Sequence, residues 1–162
     1  MVAIVADTHM PKGARELPAR CVELLEQAEL IVHAGDFSGE EVLDRFEAFV
    51  PELVAVGGNV EVPEVRHRLP ERISFVLGAH EIGVVHDAGP REGRLARMRR
   101  LFPAASAVIF GHSHIPLHEQ DDSGFQIFNP GSPTERRRAP SHMMGLLDLG
   151  AEGELRFELV EL

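Results

Sequence analysis

At 162 residues with 44% apolar content and a formal net charge of −10, the chain can bury the core of one domain but is too acidic for broad electrostatic binding to nucleic acid. Its one cysteine, Cys21, excludes an internal disulfide framework and suits a reducing cytoplasm. No segment reaches the ~18 apolar residues of a membrane-spanning helix, and the opening run Val2–Ala6 is too short for a signal peptide, so a cytoplasmic protein without a membrane partner is expected.

In chain order, Val2 to Ala6 is a short β-prone run, predicted as a first buried strand. Arg15 to Ala28 places Leu17, Cys21, Leu24, Leu25 and Ala28 at helical spacing, with the Cys21 thiol buried and inert. Leu30 to His33 reads as the second strand. Ser38 and Glu41 have the spacing of a capping box, opening a helix whose apolar face is Val42, Phe46, Phe49 and Val50. Leu53 to Val56 is the third strand. This β-α-β-α-β rhythm implies parallel strands with right-handed crossovers.

The rhythm then changes. Ile73–Leu77 and Ile82–Val85 form a predicted hairpin around Gly78-Ala79-His80-Glu81. A basic helix is expected over Arg91–Phe102, with Arg97, Arg99 and Arg100 on its wet face. Ala107–Phe110 is a further strand, followed by four runs (115–119, 125–128, 143–149 and 155–160) that read as antiparallel strands between polar turns. The sum is an α/β fold of one domain, 1–162: two mixed β-sheets packed face to face and flanked by helices.

Metal-binding residue types recur where these strands end. They are Asp7 and His9, Asp36, Asn59, His86, and His112 with His114. Active sites of open α/β sheets lie at the C-terminal ends of strands. Spacing of two in an extended segment would point Asp7 and His9, and likewise His112 and His114, to one side. Asp36 carries two oxygens and could bridge a pair of cations, and glycines before Asp36, Asn59 and His112 would allow close backbone approach. Mixed nitrogen and oxygen donors without thiolate favour manganese, nickel, iron, zinc or cobalt over calcium, and of these manganese is the ion expected first. Two such ions would activate a shared water as a hydroxide nucleophile and leave a net positive site for a phosphate anion.

The order DxH, GD, GN, H, GHxH, ending at Asn129-Pro130-Gly131-Ser132, resembles the calcineurin-like metallophosphoesterase superfamily, in its small single-domain bacterial and archaeal phosphodiesterase branch. The resemblance implies hydrolysis of a small phosphodiester by a dinuclear centre. One metal would take Asp7, His9, Asp36 and His114, and the other Asp36, Asn59, His86 and His112. Three departures stand out. Val60 occupies the place after Gly-Asn where a proton-donating histidine is common, leaving the general acid unassigned. His86-Asp87-Ala88 lacks the second histidine usual there. Glu135-Arg136-Arg137-Arg138 is unusually basic.

Other readings remain beside this one. Lone Asp and His residues after strands are common in turns. The retromer subunit of the same superfamily serves as a protein-interaction scaffold and has lost part of its metal set, whereas no position is missing here. A nuclease is disfavoured by the net charge. His33 is expected as a hydrogen-bond partner of a ligand, Glu61 most simply as a solvated loop acid with orientation of the Asn59 loop as the alternative, and His67, His80, His118 and His142 as surface or structural residues. The three arginines after Glu135 are either a solvated loop or a phosphate-steering patch. No residue pattern marks an interface for a homo-oligomer.

Overall fold

The computed structural model describes all residues from Met1 to Leu162. Two five-stranded sheets lie face to face. In the first, β1 (Val2–Val5), β2 (Leu30–His33) and β3 (Glu52–Ala55) pair in parallel, and β9 (Met143–Leu149) and β10 (Leu155–Glu161) continue antiparallel from β1. The second takes the order β4 (Arg72–Leu77), β5 (His80–Val85), β6 (Ala107–Ile109), β8 (Gln126–Asn129), β7 (Leu117–Gln120). Strands β5, β6 and β8 are parallel, so β8 is not part of a purely antiparallel tail; it reaches β6 by passing beyond β7.

Strand alternation divides the apolar residues among three layers. Ile4, Val32 and Val56 face Val84, Ile109 and Phe128 between the sheets. Ala3, Val5 and Ile31 face outward onto α1 (Ala19–Gln27), α2 (Glu40–Glu47) and α3 (Pro63–Arg68) through Leu24, Leu25, Leu43, Phe46 and Val65. Val108 and Ile127 pack on Met98 and Phe102 beside α4 (Arg94–Leu101). With both faces covered, β1 and β2 are continuous apolar runs, as buried parallel strands require. Each fully buried Leu or Ile side chain contributes about 1.5–3 kcal/mol.

Local differences from the sequence expectations have identifiable causes. Helix α1 begins at Ala19 because Pro18 disfavours helical backbone at Leu17, and Lys12–Ala14 forms a separate 3-10 turn. The Ser38 capping box does not form. Gly39 is the N-cap of α2, while Ser38 sits at φ 87° with its hydroxyl 3.4 Å from His9 Nδ1. Val50 lies outside the helix and is fully exposed. The hairpin is tighter than expected, with only Gly78-Ala79 between its strands. Arg97 is not simply on a wet face, since its guanidinium donates to the carbonyls of Ala88 and Pro90. No helix is long and apolar enough to cross a membrane.

Cys21 is buried, and burial pushes its thiol up to about 12. The thiol therefore stays protonated at neutral pH, and a thiol-specific disulfide reagent should label it only after denaturation. Stoichiometric labelling of the native chain within minutes would contradict this packing.

Candidate metal centre

The parallel strands all point the same way, so the loops after β1, β2, β3, β5 and β6 meet along one edge of the sandwich. All seven sequence-predicted residues lie on these loops. The local backbone is not the extended segment anticipated from the Asp7-x-His9 and His112-x-His114 spacing. Asp7 (φ 57°), His9 (φ 45°), Asp36 (φ 65°), His112 (φ 66°) and His114 (φ 58°) all occupy the left-handed region. Such conformations are uncommon outside glycine and persist where the surroundings impose them. The side chains converge because each loop turns back sharply at its strand end.

Two triads form around a common carboxylate. Oxygen or nitrogen atoms of Asp7, His9 and His114 lie within 4.8 Å of one another, as do those of Asp7, Asp36 and His86. His9 Nε2 stands 3.1 Å from His114 Nε2 and 3.5 Å from Asp36 Oδ2. On the other side His86 Nε2 is 3.4 Å from Asp36 Oδ2 and 3.0 Å from Asn59 Oδ1, which is 2.8 Å from His112 Nδ1. Asp36 therefore touches both halves.

Hydrogen bonding orients the rings. His114 Nδ1 donates to Glu135 O at 2.6 Å, and His86 Nδ1 donates to Ala34 O at 2.8 Å. These bonds leave Nε2 of each ring pointing into the cluster, where it offers a lone pair whenever the ring is neutral. The cluster thus gathers acceptors: Nε2 of two histidines, the Asp36 and Asp7 oxygens, and the Asn59 carbonyl. Asp7 Oδ2 is buried without any hydrogen-bond partner. An orphan carboxylate oxygen amid converging lone pairs is an unfavourable arrangement unless cations sit among them. These donors therefore fit divalent metal ions.

The electrostatics separate the two rings. Burial raises Asp7 to about 8, with the Asp36 charge adding to the rise, and His86 only partly offsets them. Burial would also raise Asp36, but the His86 hydrogen bond and charge and the Val60 N–H outweigh it, leaving Asp36 at about 2. Burial pulls His86 down, yet Asp36 and then Asp7 raise it above its ordinary value. His114 is lowered to about 4, mainly by burial, with Arg137 and His9 acting in the same direction. A neutral His114 is the form that can ligate a metal.

Glycines close the loops around Asp36. A Cβ at Gly58 would collide with Asp36 Oδ1 and would lie 2.4 Å or so from its backbone, so the Gly57-Gly58-Asn59 turn and the Asp36 turn can nest only with glycine there. The requirement is contact between protein groups more than close approach to an ion.

His33 bonds no candidate ligand directly but braces the residues beside Asp7 and Asp36. It is fully buried, its Nδ1 accepts from Gly35 N–H at 3.2 Å, and Nε2 therefore donates to Thr8 Oγ1 at 3.2 Å. Glu61 takes the second of its two sequence readings, orienting the Asn59 loop, and not that of a solvated acid. It is buried, with Oε1 accepting from Phe37 N–H (3.0 Å) and Gly58 N–H (3.1 Å) and Oε2 from Ser38 N–H (2.8 Å). One carboxylate thus ties the loop carrying Asp36 to the loop carrying Asn59.

The Asn129-Pro130-Gly131-Ser132 segment and Thr134 supply three supporting groups whose roles the motif alone does not show. Ser132 Oγ donates to Asp7 O at 2.8 Å and Thr134 Oγ1 to Thr8 O at 2.6 Å, while Asn129 Nδ2 donates to Gly111 O at 2.7 Å. These bonds fasten the first and last candidate loops together. The visible signal was a run of small polar residues around Pro130-Gly131, directly after a strand. Glu135, read only as part of a basic run, reaches within 3.9 Å of His9 Nε2 and pairs with Arg15 at 2.9 Å.

Residues 1–152 match the calcineurin-like phosphoesterase superfamily domain. A probable metallophosphoesterase of Methanothermobacter thermautotrophicus is 30% identical over 152 residues, covering 90% of this chain and 84% of that relative. Among solved structures, Vps29 of Entamoeba histolytica complexed with zinc superposes with a TM-score of 0.76 at 22% identity, covering 99% of this chain and 98% of that one. A protein described as a novel archaeal phosphodiesterase superposes with a TM-score of 0.73 at 21% identity, covering 98% of this chain and 99% of that one. Likeness at these identities concerns the fold.

Proposed function

The chain belongs to the calcineurin-like phosphoesterase superfamily, and we propose that it works as a divalent-metal-dependent phosphodiesterase on a small phosphodiester. One observation carries the reading: a full set of acceptor groups facing inward around a buried carboxylate oxygen that has no partner. Asp7, His9, Asp36 and His114 would hold one cation, and Asp36, Asn59, His86 and His112 the other. Manganese heads the order, ahead of nickel, iron, zinc and cobalt. When bound, such ions supply Lewis acidity toward a phosphoryl group and acidify a shared water.

The chain's own groups set the rest. Glu135 O and Ala34 O hold His114 and His86 in the tautomer that presents Nε2 inward. Asp36 stays ionised across the neutral range. Val60, whose N–H donates to Asp36 Oδ1 at 3.1 Å, has a partly exposed side chain that offers no proton to a leaving group. That favours esters whose leaving group departs without a general acid. A structure described as an archaeal phosphodiesterase shares the fold, which supports the diester in preference to the monoester.

Manganese- or nickel-reconstituted protein should hydrolyse an activated aryl phosphodiester faster than the corresponding monoester, with a rate that falls steeply as the leaving group's pKa rises. No turnover with any divalent metal would refute the reading. Metal binding without turnover would instead support the second reading, a non-catalytic interaction scaffold, which the fold likeness to Vps29 favours.

A further inference from the structure

The only strongly basic stretch near the cluster is Arg136-Arg137-Arg138, in a chain of net charge −10. Arg136 and Arg137 are placed differently, and Arg138 is exposed. Arg136 turns away, with Nη1 donating to Ala139 O at 3.3 Å and Pro140 O at 3.2 Å, so it closes its own loop. Arg137 has a left-handed backbone (φ 47°), and Nη1 reaches His112 O at 3.3 Å. His112 is the residue whose Nδ1 meets Asn59 Oδ1. Arg137 therefore stands at the mouth of the cluster, exposed, with one donor used of the five that a guanidinium carries. Its positive charge is felt at Asp7, His9 and His114.

On another side of the mouth, Arg66 braces the Asn59 loop through Asn59 O (3.1 Å) and Glu61 O (3.0 Å). Both of those bonds hold backbone in place, so Arg66 is a bracing group. Arg137 makes one such backbone bond, to His112 O at 3.3 Å, and leaves its other donors free. Its exposed contact contributes little to the fold, and its fork of free N–H groups matches the geometry of phosphate oxygens.

We propose that Arg137 binds a non-bridging phosphate oxygen of the substrate at the mouth of the site, as a protein-borne cation. This rests on the phosphoesterase reading above. It distinguishes Arg137 from its neighbours by direction, since a diffuse basic loop would act equally through Arg138. A charge-assisted hydrogen bond of this type corresponds to about 10- to 100-fold in affinity.

The test is calorimetric titration of the manganese-loaded full chain with inorganic phosphate, with metal content measured alongside. Arg137→Ala should weaken phosphate binding about 10- to 100-fold, and Arg137→Lys should recover part of the loss. Arg138→Ala should stay within about twofold of the unsubstituted chain, and manganese content should be the same in all. Phosphate affinity unchanged in Arg137→Ala, an equal loss in Arg138→Ala, or no phosphate binding by the unsubstituted chain would each overturn the inference. Turnover of the aryl diester is scored separately. Phosphate binding through Arg137 without turnover keeps this inference and removes the phosphodiesterase reading; turnover with phosphate affinity indifferent to Arg137 does the reverse.

Discussion

Replacing Asp36 by Asn should lower diester turnover about 10²–10³-fold, the range associated with removing one electrostatic group aimed at a reacting centre. The amide keeps the size of the side chain and an oxygen to accept from Val60 N–H, now at 3.1 Å, so the loop has no reason to collapse. What disappears is the charge that lies 3.5 Å from His9 Nε2 and 3.4 Å from His86 Nε2. Because this group touches both halves of the cluster, the variant should retain less than its full metal content at saturating manganese, measured by elemental analysis after gel filtration. Turnover within twofold of the unsubstituted chain, with metal content intact, would show that Asp36 does not join the two halves.

The second large effect is expected at Glu61, which touches no candidate ligand side chain. Glu61→Gln leaves one acceptor oxygen where three N–H groups converge from Phe37, Ser38 and Gly58, and turns an amide donor toward at least one of them. A buried donor left without an acceptor costs about 1–3 kcal/mol. For a chain of this size that corresponds to roughly 2–10 °C in the melting midpoint. Since the Asp36 and Asn59 loops are held together through this carboxylate, manganese affinity should also fall, by about 10- to 100-fold as for other groups that orient ligands. Thermal melting and manganese titration of the variant check the two effects together. An unchanged midpoint and unchanged affinity would return Glu61 to the solvated loop where its sequence context had put it.

The burial of Glu61 shows where sequence reasoning stops. Strand-sized apolar runs identified most of the sheet because burial on both faces demands them, and Asp7, Asp36, Asn59 and His112 were recognisable because each follows such a run. Gly58 is a local partner of Glu61, but Phe37 and Ser38, which bury its carboxylate against the Asp36 loop, lie 24 and 23 residues earlier. Ser38 met the local requirements of a helix cap, but its position beside His9 is set by a contact across 29 residues, and Gly39 takes the capping place. The pairing of β8 with β6 and of β9 with β1 is likewise long-range. The left-handed backbone at Asp7, His9, Asp36, His112 and His114 had only a weak sequence signal, since Asp and His tolerate it better than most residues but the surrounding loops decide where it occurs.

The most direct measurement is anomalous diffraction from crystals of the chain grown with manganese. Two peaks are expected, about 3.5–4 Å apart, the spacing of paired catalytic cations. One should lie among Asp7, His9 and His114 and the other among Asn59, His86 and His112, with Asp36 between them and the orphan Asp7 Oδ2 now engaged. Density without any anomalous peak at saturating manganese, or a single ion bound elsewhere on the surface, would contradict the dinuclear centre and the chemistry derived from it.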